Sequence, residues 1–414
     1  MVRDGRLSPV LVISTANVLD DGVDLEGIEV IGSTQPATDE PDTVAGARLQ
    51  RVPVVARGAV ESIVTMARVA QTARLAGRLL RARTGAVVVV GDDRAAGVEM
   101  GWLTAAARLG VPSLVVPYAL SDPSADALVR RRSSRHQIDG HPLRRLVARR
   151  WPDQAYRCDG TDLLFYPAGL TLGLSLLHAL PARPWVMGGG HSTRVAVLGE
   201  RDRRDLLAWG APAAKLIVTG QPSLDDLAAV PDGERIVCAV PQLAEHALVP
   251  WDQHEMLIDG LFGALAPWAD RVDLSLHPKS DPVWYAERAT RHGLTISRRP
   301  LRSLLGGAAI FIASWSSTVR WAAMLGVPTV IDDRAGLSLD VYGDLAGVTV
   351  VRSDKALERA VRALVEDDEA RARQAAVLRS AASDLGTLDG KAAQRIVDVA
   401  ADLVGDGRAR DSAR

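Results

Sequence analysis

Lysine is nearly missing from this chain of 414 residues: ammonium groups occur only at Lys215, Lys279, Lys355 and Lys391, and arginine supplies the rest of 49 basic side chains. That bias carries little functional weight by itself. Cysteine is scarcer still, with Cys158 and Cys238 far apart and neither a CxxC pair nor Cys/His ligand spacing. A disulfide framework and a zinc cluster are both excluded, and no metal site is expected. GxGxxG and GxxxxGK[ST] do not occur, so dinucleotide binding gains no support and a P-loop is excluded. No apolar run reaches the length of a membrane span, and Pro9 to Ile13 is too short for a signal-peptide core. The expectation is a cytoplasmic protein with no integral membrane segment. A formal charge of −1 gives no global field toward nucleic acid or an anionic membrane.

What is present is a globular mixture, 47% apolar and 24% charged, in a chain too long for one core and well matched to two α/β units. Short β-branched runs alternate with helical patterns throughout, the signature of parallel strands with crossover helices. The strand Val87 to Val90, a helix from about Arg94 to Leu109 and the strand Ser113 to Val116 make the first clear βαβ unit. Between about 120 and 160 the periodicity fails and arginine accumulates, which reads as an insertion or lid. Strand 194–198, helix 200–209 and strand 215–219 follow, and the turn Pro231-Asp232-Gly233 sits near the midpoint. The expected domains are residues 1–222 with the Arg-rich insertion, residues 235–385, and a final helix and polar tail over 386–414, frayed from Gly405. The fold class is α/β, two doubly wound Rossmann-like domains facing a central cleft.

In such sheets ligands lie beyond the carboxyl ends of strands, so the residues just after each strand are the candidates. Leu276-His277-Pro278-Lys279 brings an imidazole and an ammonium to one rim, where both can meet a phosphate. A cap or turn role for His277 is the alternative. Ser314-Trp315-Ser316-Ser317-Thr318 follows a buried strand with four hydroxyls within five residues, more than an N-cap needs, and leads into a helix whose free N–H groups suit a diphosphate. Arg320 lies just beyond. A strand expected at Trp185 ends in Gly188-Gly189-Gly190-His191-Ser192, where Gly189, Gly190 and His191 permit close approach of a ligand or simply mark a turn. In the first half, Asp92 and Asp93 follow the clearest strand, with Glu99 a turn or two further on; each is a candidate base for an acceptor hydroxyl, or a helix cap. Asp122 is another.

Together these residues carry a resemblance. Leu276-His277-Pro278, Leu301 to Leu305, Ile310-Phe311-Ile312, Ser316-Ser317-Thr318 and Leu325-Gly326-Val327-Pro328-Thr329-Val330 resemble the nucleotide-binding domain of GT-B fold glycosyltransferases and relatives, among them sialyltransferase-like enzymes and the glycerophosphotransferases of teichoic acid synthesis. In the first half, Gly91-Asp92-Asp93 and Lys215 to Pro222, with Asp225, are similar to non-hydrolysing UDP-N-acetylglucosamine 2-epimerases. The resemblance implies that His277 and the 316–318 turn hold the donor's phosphates, with Gly220 and Gln221 at the hinge side of the cleft. It also departs from those families: Arg320 and Trp321 stand where the epimerases have adjacent glutamates, and Val116-Pro117-Tyr118-Ala119 replaces their His-Glu-Ala-Gly run.

The expectation is therefore a metal-independent glycosyltransferase-like enzyme, with a nucleotide-sugar as substrate, no separate cofactor, and a small-molecule or glycan acceptor. A sugar-nucleotide epimerase and a non-catalytic nucleotide-sugar-binding protein are the alternatives.

Overall fold

A computed structural model describes residues 10–12, 29–31, 54–117, 122–227, 233–278, 280–314, 316–338 and 342–412. In chain order the first part holds β1 (Val10–Val12), β2 (Glu29–Ile31), α1 (Val54–Arg81), β3 (Val88–Val90), α2 (Val98–Leu109), β4 (Ser113–Val115), α3 (Pro123–Arg131), α4 (Pro142–Arg150), β5 (Ala155–Cys158), β6 (Thr161–Leu164), α5 (Ala168–Leu176), β7 (Arg194–Val197), α6 (Glu200–Ala208) and β8 (Leu216–Val218). The second part holds β9 (Arg235–Ala239), α7 (Trp251–Leu265), β10 (Val272–Ser275), α8 (Pro282–Arg291), α9 (Leu301–Leu305), β11 (Ala308–Ala313), α10 (Val319–Met324), β12 (Thr329–Asp332), β13 (Val348–Val351), α11 (Asp354–Glu366), α12 (Asp368–Leu385) and α13 (Ala392–Ser412).

Two larger parallel sheets result, of order β3-β4-β7-β8 and β10-β9-β11-β12-β13, and β1 pairs with β2 in a separate two-stranded parallel sheet. Strand β11 is buried along its whole length, as a central parallel strand covered on both faces must be. The helices read as one-sided: in α11 the buried residues are Leu357, Val361, Leu364 and Val365, one stripe, and the Ser353 hydroxyl caps its first turn by accepting from the Ala356 N–H.

Several boundaries differ from the sequence reading. The first crossover helix starts at Val98 rather than near Arg94, because residues 91–97 are spent on a hydrogen-bonded turn. The segment 185–192 holds no strand. The final helix continues to Ser412 through much of the expected polar tail. Tyr118, Pro231, Asp232, Lys279 and Trp315 lie outside the described residues.

The Arg-rich insertion is built rather than loose. It contains α3, α4 and the antiparallel β5–β6 hairpin. Arg130 lies 3.8 Å over the Phe165 ring and donates to the Phe165 carbonyl and to Asp126. Arg132 donates to the Leu248 carbonyl, and Ala125 packs with Leu243, Leu248 and Val249, so the insertion bridges to the second sheet's loops.

The chain does not divide cleanly at its midpoint. Helix α13 returns to the first sheet, laying Ile396, Ala400 and Leu403 against Leu114 and Ala196. Its N-terminus is held by Asp225, whose carboxylate accepts from the Ala392 and Ala393 N–H groups at 2.8 and 2.7 Å. Asp225→Ala should cost about 1–2 kcal/mol, read as a lower urea midpoint with unchanged slope. No change would mean that α13 holds without its cap.

Candidate functional site

The carboxyl edges of the two sheets face one another, and residues that follow their strands line the space between. Val116, Pro117, Ala196, Leu198, Gly220 and Gln221 come from the first sheet's side; Ser317, Arg320, Trp321 and Tyr342 come from the second. The recess between them has a volume of about 20 Å3, room for roughly one water, so a nucleotide-sized ligand does not fit within it as it stands.

On the second sheet the chain goes from β9 outward to β10, then back across to β11 on the other side of β9. The switch point is thus between β9 and β11, and the crevice beyond their carboxyl ends is bounded by Val240-Pro241-Gln242 and Ser314 to Thr318. Ser314 is buried; Ser316, Ser317 and Thr318 are half-buried. Ser316 Oγ shares a 2.6 Å hydrogen bond with Thr318 Oγ1 and accepts from the Thr318 N–H, so part of this turn's donor capacity is turned inward. Helix α10, which follows, has only six residues, and the Val319, Arg320 and Ala322 N–H groups donate to the Ser316, Ser317 and Thr318 carbonyls, so few backbone donors are left for a ligand at its start. His277 follows β10 on the same rim and is exposed, with Pro278 beside it; the His277 carbonyl accepts from the Ser280 N–H at 2.9 Å. Strand β9 stands between the two positions, a separation of about 10 Å at ordinary strand spacing. The structure brings His277 and the hydroxyl turn to one edge but not into one pocket: His277 does not line the cavity that Ser317 lines.

On the first sheet the candidate residues have other occupations. The Asp93 carboxylate is buried and accepts from the Gly188 N–H at 3.1 Å, the Gly190 N–H at 3.0 Å and the Ser192 hydroxyl at 2.6 Å. From the other side Lys215 Nζ donates to the Gly188 and Gly190 carbonyls at 2.9 and 2.8 Å. Burial pulls this ammonium below its ordinary pKa, and Asp93 works against the shift. Asp93 is therefore the anchor of the glycine turn, not a base facing an acceptor.

The glycines are explained by the same packing. A Cβ on Gly189 would lie 1.9 Å from the Arg183 carbonyl oxygen, and one on Gly190 2.1 Å from that of Asp93. The close approach they permit is to protein backbone, not to a ligand. His191 sits in this turn with a buried, unpartnered Nε2, and burial, helped by Lys215, lowers its pKa.

Asp92 keeps some solvent access, 28% of its side chain, although it pairs with Arg94 at 3.2 Å and accepts from the Ala95 N–H. Glu99 accepts from the Gly91 and Asp92 N–H groups, and burial raises its pKa. Asp122 caps α3 through the Ser124 N–H.

Gly220 and Gln221 do line the cleft. Gly220 has φ +81°, and a Cβ there would meet Ala392 at 2.9 Å, so its glycine serves the docking of α13.

Arg320 reaches the cleft in an unexpected state. Its guanidinium pairs with Asp202 of α6, on the other sheet's side, and both side chains are only 5% exposed. Arg320 Nε and Asp202 Oδ2 have no hydrogen-bond partner. Burial opposes the guanidinium's charge, but Tyr342, Asp202 and Asp205 outweigh it and keep it protonated. Nothing in the sequence links positions 202 and 320, and this pair, like Lys215 and Asp225, is visible only in the fold.

The second sheet reverses its winding at β9, the described strands of the first follow in sequence order, and the two parallel sheets meet across a cleft at their carboxyl edges. The fold is GT-B-like. No protein-family model and no curated protein matches the chain. Solved structures that it resembles include a Listeria monocytogenes protein assigned to the UDP-N-acetylglucosamine 2-epimerases, with TM-score 0.49, 14% identity and coverage of 80% of this chain and 77% of that one. The UDP-GlcNAc 2-epimerase of Methanocaldococcus jannaschii gives 0.44, 13%, 86% and 89%, and the wall teichoic acid polymerase TagF gives 0.42, 12%, 72% and 69%. These likenesses assign neither substrate nor reaction. Among the described residues no group of three His, Cys, Asp or Glu side chains is placed to hold a metal, and no helix is long and apolar enough to cross a membrane.

Two outcomes follow from this geometry. Asp202→Ala leaves the Arg320 charge buried and alone and should cost about 3–5 kcal/mol, whereas Asp202→Leu with Arg320→Met should recover most of the loss. Additive losses in the double variant, measured by urea unfolding, would dissolve the pair as a unit. Gly190→Ala should destabilise by about 1–3 kcal/mol, and unaltered stability would show that the turn has slack.

Proposed function

We propose that the chain is a glycosyltransferase-like enzyme that moves a sugar from a nucleotide-activated donor to an acceptor, the donor bound mainly by the second sheet's rim. The observation that carries this reading is the switch point between β9 and β11, which puts the hydroxyl turn 314–318 on the crevice facing the first sheet. In the transfer, the bond from the anomeric carbon to the leaving phosphate oxygen breaks and a bond to the acceptor oxygen forms. The leaving group gains negative charge, and the donors of Ser316, Ser317 and Thr318 with the His277 imidazole are the groups on that rim able to stabilise it. Their separation of two strand positions suits two phosphates rather than one. Lys279, adjacent in sequence to Pro278, adds a cation to the same segment in this reading.

On the acceptor side, Asp92 takes the proton of the attacking hydroxyl, since Asp93 is committed to the glycine turn and Glu99 to the backbone of Gly91 and Asp92. The acceptor must displace Arg94 from Asp92 to do so. Donor entry opens the cleft, and reclosure excludes water from the activated sugar.

A second reading, a nucleotide-sugar-binding protein without turnover, is favoured by one observation. Arg320 and Trp321 occupy the positions where the resembling epimerases carry glutamates, and Arg320 is neutralised by Asp202.

A thermal-shift screen of UDP-, GDP-, dTDP-, CDP- and CMP-linked sugars identifies the donor, because a ligand that binds only the folded chain raises its melting temperature. With that donor, His277→Ala should lower turnover by about 100-fold and leave the melting temperature unchanged, as an exposed side chain allows. Equal release of nucleoside phosphate by wild type and variant would remove His277 from the reaction. Donor binding with no product across a broad acceptor panel would favour the second reading.

A further inference from the structure

A cavity larger than the one in the cleft lies elsewhere. Helices α1 and α2 touch closely where Gly101 faces Thr72, since a Cβ on Gly101 would lie 2.7 Å from the Thr72 Cβ. One to two turns further along α2 they part over the small residues Ala73, Gly77 and Ala105 and leave a cavity of about 360 Å3. Four guanidinium groups line it, Arg74, Arg78 and Arg81 from α1 and Arg108 from α2. Arg108 donates to the Leu177 carbonyl; Arg74, Arg78 and Arg81 have no partner among the described residues.

No carboxylate lines this cavity. The segments that build it, residues 62–86, 100–112 and 167–184, contain no aspartate or glutamate at all, in a chain that as a whole holds 50 acids and 49 bases. The near-zero net charge hides a strongly positive flank. Four like charges around one concavity repel each other and are relieved by an anion, and arginine forks fit phosphate oxygens bidentately. Between the guanidinium groups the walls are apolar, from Val69, Ala70, Ala73, Ala105, Leu109 and Leu177.

We propose that this cavity binds a phosphate ester carrying a hydrocarbon chain, the phosphate on the arginines and the chain on the alanine and leucine walls. It is separate from the proposed donor site. Arg108 is at the C-terminal end of α2, and α2 runs away from the carboxyl edge of β3, so the cavity lies toward the opposite edge of the sheet from the cleft. Its occupancy neither requires nor excludes sugar transfer.

Isothermal titration with dodecyl phosphate below its micelle concentration tests it on the full chain. Wild type should bind, Arg78→Glu with Arg81→Glu should bind roughly tenfold or more weakly, and Ala73→Leu should weaken dodecyl phosphate but not inorganic phosphate. All three carry exposed or half-buried changes, and matching melting curves confirm that the variants fold. Absence of binding, equal binding by wild type and the charge-reversed variant, or inorganic phosphate binding as tightly as dodecyl phosphate would each overturn the proposal. Cosedimentation with phosphatidylglycerol but not phosphatidylcholine vesicles, lost in the charge-reversed variant, assigns the phosphate to a bilayer headgroup. Binding of the monomeric ester without vesicle binding assigns it to a soluble ligand.

Discussion

The relative placement of the two sheets depends on a charge pair that neither sheet could bury alone. Asp202 on α6 and Arg320 on α10 meet at the joint with side chains about 95% removed from solvent, each with one atom left unpartnered. Such a pair is a poor source of net stability, since desolvation of both ions offsets most of their attraction. Its value is positional. Any other seating of the two sheets leaves a charge buried without its counter-charge, whereas separation returns both ions to water. More exposed pairs surround it, Arg204 with Asp384 and Arg201 with Asp344, and these contribute little on their own. Gly199 and Gly386 let backbone meet backbone at the same joint, where a Cβ on Gly199 would lie 2.4 Å from Leu385. The joint is thus tight when closed, and around the charge pair Leu198, Leu224 and Leu227 pack with Trp321, Met324 and Leu385, so opening it also exposes apolar surface.

The same joint explains why the cleft appears nearly filled. Tyr342, Trp321 and Arg320 occupy the space that faces Gly220 and Gln221. A ligand that entered would have to replace Asp202 as the partner of Arg320 or leave the pair intact and lie to the β9 side of it. The second geometry agrees with the switch point, which lies toward β9 rather than toward β12.

How much of this the sequence revealed follows the range of the interactions. The parallel sheets, the order of strands and helices in the second half and the rim positions of His277 and Ser314 to Thr318 are local patterns, carried by periodicity and by what comes just after a strand. Candidate roles in the first half misread because the decisive partners are distant: Asp93 meets a turn 95 to 99 residues away, and Lys215 closes on it from 25 to 27 residues further along. A glycine run has the same appearance whether its missing side chains make room for a ligand or for a carbonyl of its own chain. Only the Arg183 and Asp93 oxygens, less than about 2.2 Å from the positions of the absent Cβ atoms, decide between these.

The distribution of arginine carries the last step. With lysine almost absent, arginine does most cationic tasks other than that of Lys215 at the glycine turn, and many of its guanidinium groups are committed: to Asp126 and Phe165 in the insertion, to Asp202 at the joint, to Asp332 and Asp354 below β12. A guanidinium with five donors finds a carboxylate or carbonyl whenever one is within reach. Along α1 none is within reach, because the sequence there supplies no acid over more than 20 residues and packs small apolar residues between the arginines. Solvated arginines on a convex helix face would need no explanation. The same residues around a concavity floored by alanine are different: the guanidinium groups stay in contact with water, but they converge on one apolar recess where a single anion can meet several of them. The positive charge left without carboxylates along this cavity specifies the sign and the shape of what completes it.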